Sequence, residues 1–137
     1  MRALKIKDFE FHVIKNPKDA LMYKMNIIDF AAKDMHLSLG ESTNFAAQIA
    51  VDSLNLGVSD LKKNLTDVLL TLPVNKHNIS LVKKDFVGHT EFLSKQLDKK
   101  KNLMILCGQD LKIATVTNHV AVSNISGLIS KSILMRK

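Results

Sequence analysis

The chain has 137 residues, 46% of them hydrophobic and 24% charged, which is enough for one domain and short for two. That balance excludes a disordered chain, and no window reaches the ~18 consecutive apolar residues of a membrane span. The basic start, residues 1–17, has no apolar stretch leading to a small-residue cleavage site, so no secretory signal is readable. A single cysteine, Cys107, excludes an internal disulfide framework and fits a reducing compartment. The expectation is a soluble, cytoplasmic α/β domain.

Twenty basic residues against thirteen acidic ones give a formal charge of +7, which brings nucleic acid to mind. The detail argues against it. Only Arg2 and Arg136 carry the planar fork that reads base edges; the other basic residues are lysines, dispersed along the chain. One tyrosine and no tryptophan leave few stacking platforms. A lysine-rich solvated surface is the plainer reading, even for the run Lys99-Lys100-Lys101.

Residues 9–14, FEFHVI, alternate in the manner of a strand, and Asn16-Pro17 ends it. A second strand is expected from Met25 to Phe30, and His36 to Leu39 is a third short alternating piece ended by Gly40. His12 and His36 read as ordinary strand or surface residues. From Ser42 the period changes: Ser42 or Thr43 caps a helix whose apolar face is Phe45, Ala46, Ile49, Ala50, Leu54 and Val58. Gly57 and Ser59-Asp60 are possible interruptions. The apolar run 68–72 then reads as a buried central strand stopped by Pro73, with 73–78 (PVNKHN) as the loop at its end. Thr90 is a plausible cap for a short helix through Phe92, Leu93, Gln96 and Leu97. Leu103–Cys107 and Lys112–Thr117 read as two strands joined at Gly108-Gln109-Asp110 into a hairpin. Ser123 caps a last helix over 124–134. Strands 68–72, 103–107 and 112–117 are expected in one sheet, with helices 43–56 and 124–134 packed on it. Too few strands remain for a well-covered parallel sheet, so the pattern reads as the middle of a larger α/β protein.

Three polar clusters are expected at the ends of strands: Asn75-Lys76-His77-Asn78, Gly88-His89-Thr90-Glu91 and Thr117-Asn118-His119. Imidazole ligates divalent metals, a lysine holds a phosphate or alkoxide as a point charge, and a helix's first turn offers free donors to an anion. No local metal spacing such as HExxH or CxxC accompanies them. The clusters alone leave a functional site and ordinary loop histidines both open. Cys107, inside the apolar MILC, reads as a small buried hydrophobe rather than a nucleophile or metal ligand.

Three segments together resemble one family. They are 71–76 (TLPVNK), 88–93 (GHTEFL) and 117–119 (TNH), in this order and at typical distances, and the resemblance is strongest from about Gly40 to Lys131. The chain resembles the PdxA family of 4-hydroxythreonine-4-phosphate dehydrogenases of pyridoxal phosphate biosynthesis. The resemblance implies an α/β fold, here a partial three-layer domain like that of the isocitrate and isopropylmalate dehydrogenases, with residues 1–137 forming one partial unit of a two-domain subunit. It implies oxidation of a phosphorylated hydroxy-amino acid by NAD or NADP, followed by loss of CO2. A divalent metal (zinc, magnesium or cobalt) and a homodimer with shared active sites are part of the same expectation; nucleic acid and membrane are not.

Carried over residue by residue, His89 and Thr90 become substrate-binding, His119 becomes the first of three metal-ligating histidines, and Lys76 lies in a family-typical loop near the substrate. His89 and His119 are expected to approach one cleft. The sequence departs from the family at Leu72, Asn118, Ala121 and Ala47, where small residues, Thr, Pro and Gly are respectively common. The family's glycine-rich early segment and the later segments carrying the other two metal histidines and the cofactor contacts are absent. The chain alone is therefore expected to be incomplete and inactive. A remnant that only binds or dimerises is the alternative.

Overall fold

The computed structural model describes residues 10–30, 38–98 and 102–135. They fall into two compact units, within 1–97 and 98–137.

The first unit opens with a small parallel pair, β1 (His12–Ile14) and β2 (Asn26–Ile28), in the register His12–Asn26, Val13–Ile27 and Ile14–Ile28. Asn16 turns the chain after β1 by accepting the Lys18 amide, and a single 3-10 turn follows at Pro17–Asp19. His36 and Leu37 lie outside the described residues; Leu39 and Gly40 form a turn.

Helix α1 (Asn44–Lys62) is the spine of the unit. Thr43 caps it, its hydroxyl accepting the Ala46 amide at 3.1 Å. The helix runs on through Gly57, whose missing Cβ makes room for Leu69; a Cβ would stand 2.7 Å from Leu69 Cδ1. Its inner face, Val51, Leu54 and Val58, packs with Ile79, Phe86 and Phe92, and Leu69, Val74, Leu93 and Leu97 lean on that cluster. The core is thus built from α1, from α2 (Lys76–Ser80) and from α3 (His89–Gln96).

Residues 68–72 are not a strand. They do alternate: Leu69 and Thr71 turn inward while Val68, Leu70 and Leu72 are 79%, 87% and 77% exposed. The pleat-like period is present, but among the described residues no neighbouring strand takes up its backbone groups, and a strand exists only through its partner. The expected single sheet with 103–107 and 112–117 is corrected accordingly. The segment 73–78 is likewise not all loop: Asn75 accepts the Asn78 amide at 3.0 Å and starts α2.

The second unit contains the antiparallel hairpin β3 (Met104–Cys107) and β4 (Lys112–Thr115), paired from Met104–Thr115 to Cys107–Lys112. The turn closes where expected, with the Gly108 amide donating to the Leu111 carbonyl at 2.7 Å. Every β3 side chain is exposed, Cys107 included, so the buried-hydrophobe reading of that thiol is wrong. The final helix is two pieces, α4 (Val122–Leu128) and α5 (Lys131–Leu134). Ala121, not Ser123, holds the first cap position, and Ser130 caps the second by accepting the Ile133 amide. Among the described residues no helix is long and apolar enough to cross a membrane.

Candidate substrate site at the start of helix α3

Two core anchors place the polar residues of the first unit. Ile79 fixes α2, and three residues before it Lys76 is the first helical residue. Phe92 fixes α3, and three residues before it His89 is the first helical residue. Phe86 completes the frame. Its ring lies 5.7 Å from Phe92 and 6.1 Å, edge to face, from His89. An exposed ion triad ties the approach to the helix, with Lys95 Nζ 3.0 Å and Lys83 Nζ 3.3 Å from the Asp85 carboxylate. The hydrogen bonds from Lys95 and then Lys83, with their charges, hold the Asp85 carboxyl below its ordinary range.

Gly88 occupies the cap position of α3 and no side chain caps the helix. Thr90, the expected cap, stands inside the first turn. The leading amides of α3 therefore keep free donors, and the helix end carries partial positive charge. Lys76 comes to this place. A Cβ on Gly88 would lie 3.5 Å from Lys76 Nζ and 3.1 Å from Glu91 Oε2. Lys76 makes no hydrogen bond or ion pair among the described residues, and neither does the half-buried Thr90 hydroxyl. His89 Nε2 is buried without a hydrogen-bond partner, a condition that costs about 1–3 kcal/mol unless something relieves it. Lys76, His89 and Thr90, singled out from two separate segments of sequence, are thus neighbours around one helix start. Sequence reasoning missed the parts played by Glu91 and Phe86; Phe86 sits in an irregular connector that shows no period to read.

His119 belongs to the second unit, in the loop after β4, and is exposed. Its backbone is left-handed at φ 54°, a region that histidine, like asparagine and aspartate, enters more readily than other non-glycine residues. Among the described residues no three His, Cys, Asp or Glu side chains gather to hold a metal ion. One imidazole leaves a divalent ion largely to water, so the donor set of these residues does not by itself fit the metal.

Comparison with known proteins bears on the family and the fold. The family model described as pyridoxal phosphate biosynthetic protein PdxA matches residues 1–137. A 4-hydroxythreonine-4-phosphate dehydrogenase of Bacteroides thetaiotaomicron is 27% identical over 128 residues, covering 93% of this chain and 35% of the relative. One from Sulfurihydrogenibium is 26% identical over 130 residues, covering 95% of this chain and 40% of the relative. The chain therefore spans between a third and two-fifths of these relatives' length. In fold it is similar to the crystal structure of the Klebsiella pneumoniae 4-hydroxythreonine-4-phosphate dehydrogenase, with a TM-score of 0.80 at 23% identity over 96% of this chain and 42% of that one. The mixed α/β architecture, the ordered segments around Lys76, His89 and His119, and the match along the full chain lead to one conclusion: this chain belongs to the PdxA family.

Proposed function

We propose that this chain is the middle portion of an NAD(P)-dependent dehydrogenase acting on 4-hydroxythreonine 4-phosphate, with the isocitrate dehydrogenase-like fold of a two-domain subunit. It contributes the substrate-binding residues His89, Thr90 and Lys76 and one metal-ligating histidine, His119. The observation that carries this reading is the unpaired Lys76 ammonium at the uncapped start of α3. A cation beside free backbone donors suits a phosphate or carboxylate oxygen. His89 supplies an imidazole nitrogen without a protein partner, and Thr90 a free hydroxyl, so a polyoxygenated substrate is gripped from several directions.

The nicotinamide cofactor supplies hydride chemistry when bound; in this reading its contacts, the remaining metal donors and a homodimeric partner lie in the rest of the family's architecture. The chain's own residues bind and orient the substrate. Orientation matters because a near-attack geometry removes much of the entropic barrier. Alone, the chain is expected to give no turnover.

The test is a chimera in which residues 1–137 replace the matching stretch of the Klebsiella enzyme, assayed for NADH formation. The expected result is turnover that falls about a hundredfold or more on His89→Ala or His119→Ala. A folded chimera that binds cofactor yet forms no NADH, or one indifferent to both substitutions, contradicts the reading.

A further inference from the structure

Phe86 is buried in the core of the first unit, with its ring centre 5.7 Å from that of the equally buried Phe92. The same ring meets the His89 imidazole, at 6.1 Å between centres and 82° between planes, a T-shaped pair. Its backbone is fixed as well. The Phe86 amide donates to the Lys83 carbonyl at 3.1 Å. The adjacent Asp85 is bound to Lys83 and to Lys95 of α3, at 3.3 and 3.0 Å. Phe86 is therefore a fixed wall, held by the core and by the connector.

The imidazole has no hydrogen bond to hold it. His89 Nε2 is shut away from water without a partner, and no side chain or backbone group bonds to the ring among the described residues. The outer torsion of a histidine is soft, and turning the ring toward water would relieve the unpaired nitrogen. Hydrogen bonding thus favours a different orientation, and packing keeps this one. Phe86 supplies the ring contact on the imidazole. Such a contact holds the ring without using either nitrogen as donor or acceptor.

We propose that Phe86 is a positioning residue: its buried ring sets the orientation of the His89 imidazole before substrate arrives. The inference rests on the reading of His89 as substrate-binding. Phe86 touches no substrate and acts through His89. A ring already set gives up little rotational freedom on binding, which is how preorganisation raises affinity.

The experiment has two arms on the full chain in solution. The first measures nuclear Overhauser contacts between the Phe86 and His89 rings, and the order parameter of the His89 ring C–H groups. The contacts are expected in the wild type, with an order parameter near the rigid value of about 0.85 that falls below about 0.6 in Phe86→Leu. Val58→Ala, a change in the same core without ring contact to His89, should leave the imidazole rigid. The second arm titrates 4-hydroxythreonine 4-phosphate, followed at the Thr90 and Glu91 amides, in the wild type, Phe86→Leu, His89→Ala and the double variant. Phe86→Leu should weaken binding about fivefold, the scale of immobilising one side chain, and the double variant should be no weaker than His89→Ala alone. A wild type without the ring contacts overturns the proposal, and this measurement stands even if Phe86→Leu fails to fold. An imidazole that stays rigid in Phe86→Leu overturns it too. So does a Phe86→Leu loss that persists undiminished in the His89→Ala background, since Phe86 would then act apart from the imidazole. Ring contacts and rigidity that depend on Phe86, with no response to the substrate, support the positioning and remove the substrate-binding reading of His89.

Discussion

The two units of this chain handle apolar residues in opposite ways. The first gathers Val51, Leu54, Val58, Ile79, Phe86 and Phe92 into a core, with Ile79 only 1% exposed. The second carries an equally apolar strand, Met104-Ile105-Leu106-Cys107, with every side chain exposed. Both contain residues proposed above for the site, yet only the first surrounds them with packing of its own. Lys76 and His89 each stand three residues before a core anchor, so their backbones are fixed by burial. His119 follows a hairpin held by its ladder and turn. A site residue is only as well placed as the packing beneath it, and on that measure the helix start is formed within this chain.

The largest expected effect tests that contrast directly. Ile79→Ala should cost about 3 kcal/mol by lost burial and a residual cavity, a large share of the stability of a domain this size. Leu106→Ala, on the exposed strand, should change stability by less than about 0.5 kcal/mol. Urea melts of both variants check this; equal losses would show that the hairpin is as well packed as the helices.

A smaller effect is expected at His119. A β-branched residue fits its left-handed backbone poorly, so His119→Val should destabilise by about 1–2 kcal/mol, while His119→Asn should be near neutral. Thermal melts separate the two. Identical melting of both variants would mean that the loop leaves the left-handed conformation in solution.

The smallest effect is at the Asp85 triad. Its carboxyl is held below the ordinary range in the folded chain, so the stability it contributes is present above the unfolded value and is lost as pH falls through the folded one. Asp85→Asn should lower the melting temperature slightly at pH 6, and the gap from wild type should close below about pH 4. Salt should narrow it as well, since the triad is exposed. A gap that widens on acidification contradicts the assignment.

What the sequence could announce follows the same division between local and remote causes. Helix α1 and its Thr43 cap are legible because the apolar period and the cap lie within a few residues of each other. The hairpin is legible because Gly108-Gln109-Asp110 dictates its turn. The segment 68–72 shows the opposite case. Its alternation is present and its inward residues are inward, but strandhood depends on a neighbour that no local pattern reports. Cys107 failed for a related reason: an apolar run says that a strand could be buried, not that another layer covers it. Thr90 and Ser123 are good capping residues two positions late, because the chain begins α3 at His89 and α4 at Val122, where Gly88 and Ala121 hold the extended backbone of the cap. The segments that carry the family resemblance, around Lys76, His89 and His119, were legible in their order and spacing. The meeting of Lys76 with Gly88 was not, since it depends on α2 and α3 packing into one core.

The central claim is that the helix start is already a substrate subsite in this chain. Titration of the isolated chain with 4-hydroxythreonine 4-phosphate, followed by amide chemical shifts, tests it most directly. The account predicts saturable shifts centred on Gly88, His89, Thr90 and Glu91 that are lost on Lys76→Met. Shifts confined to the hairpin unit, or a response at α3 that survives Lys76→Met unchanged, would contradict it.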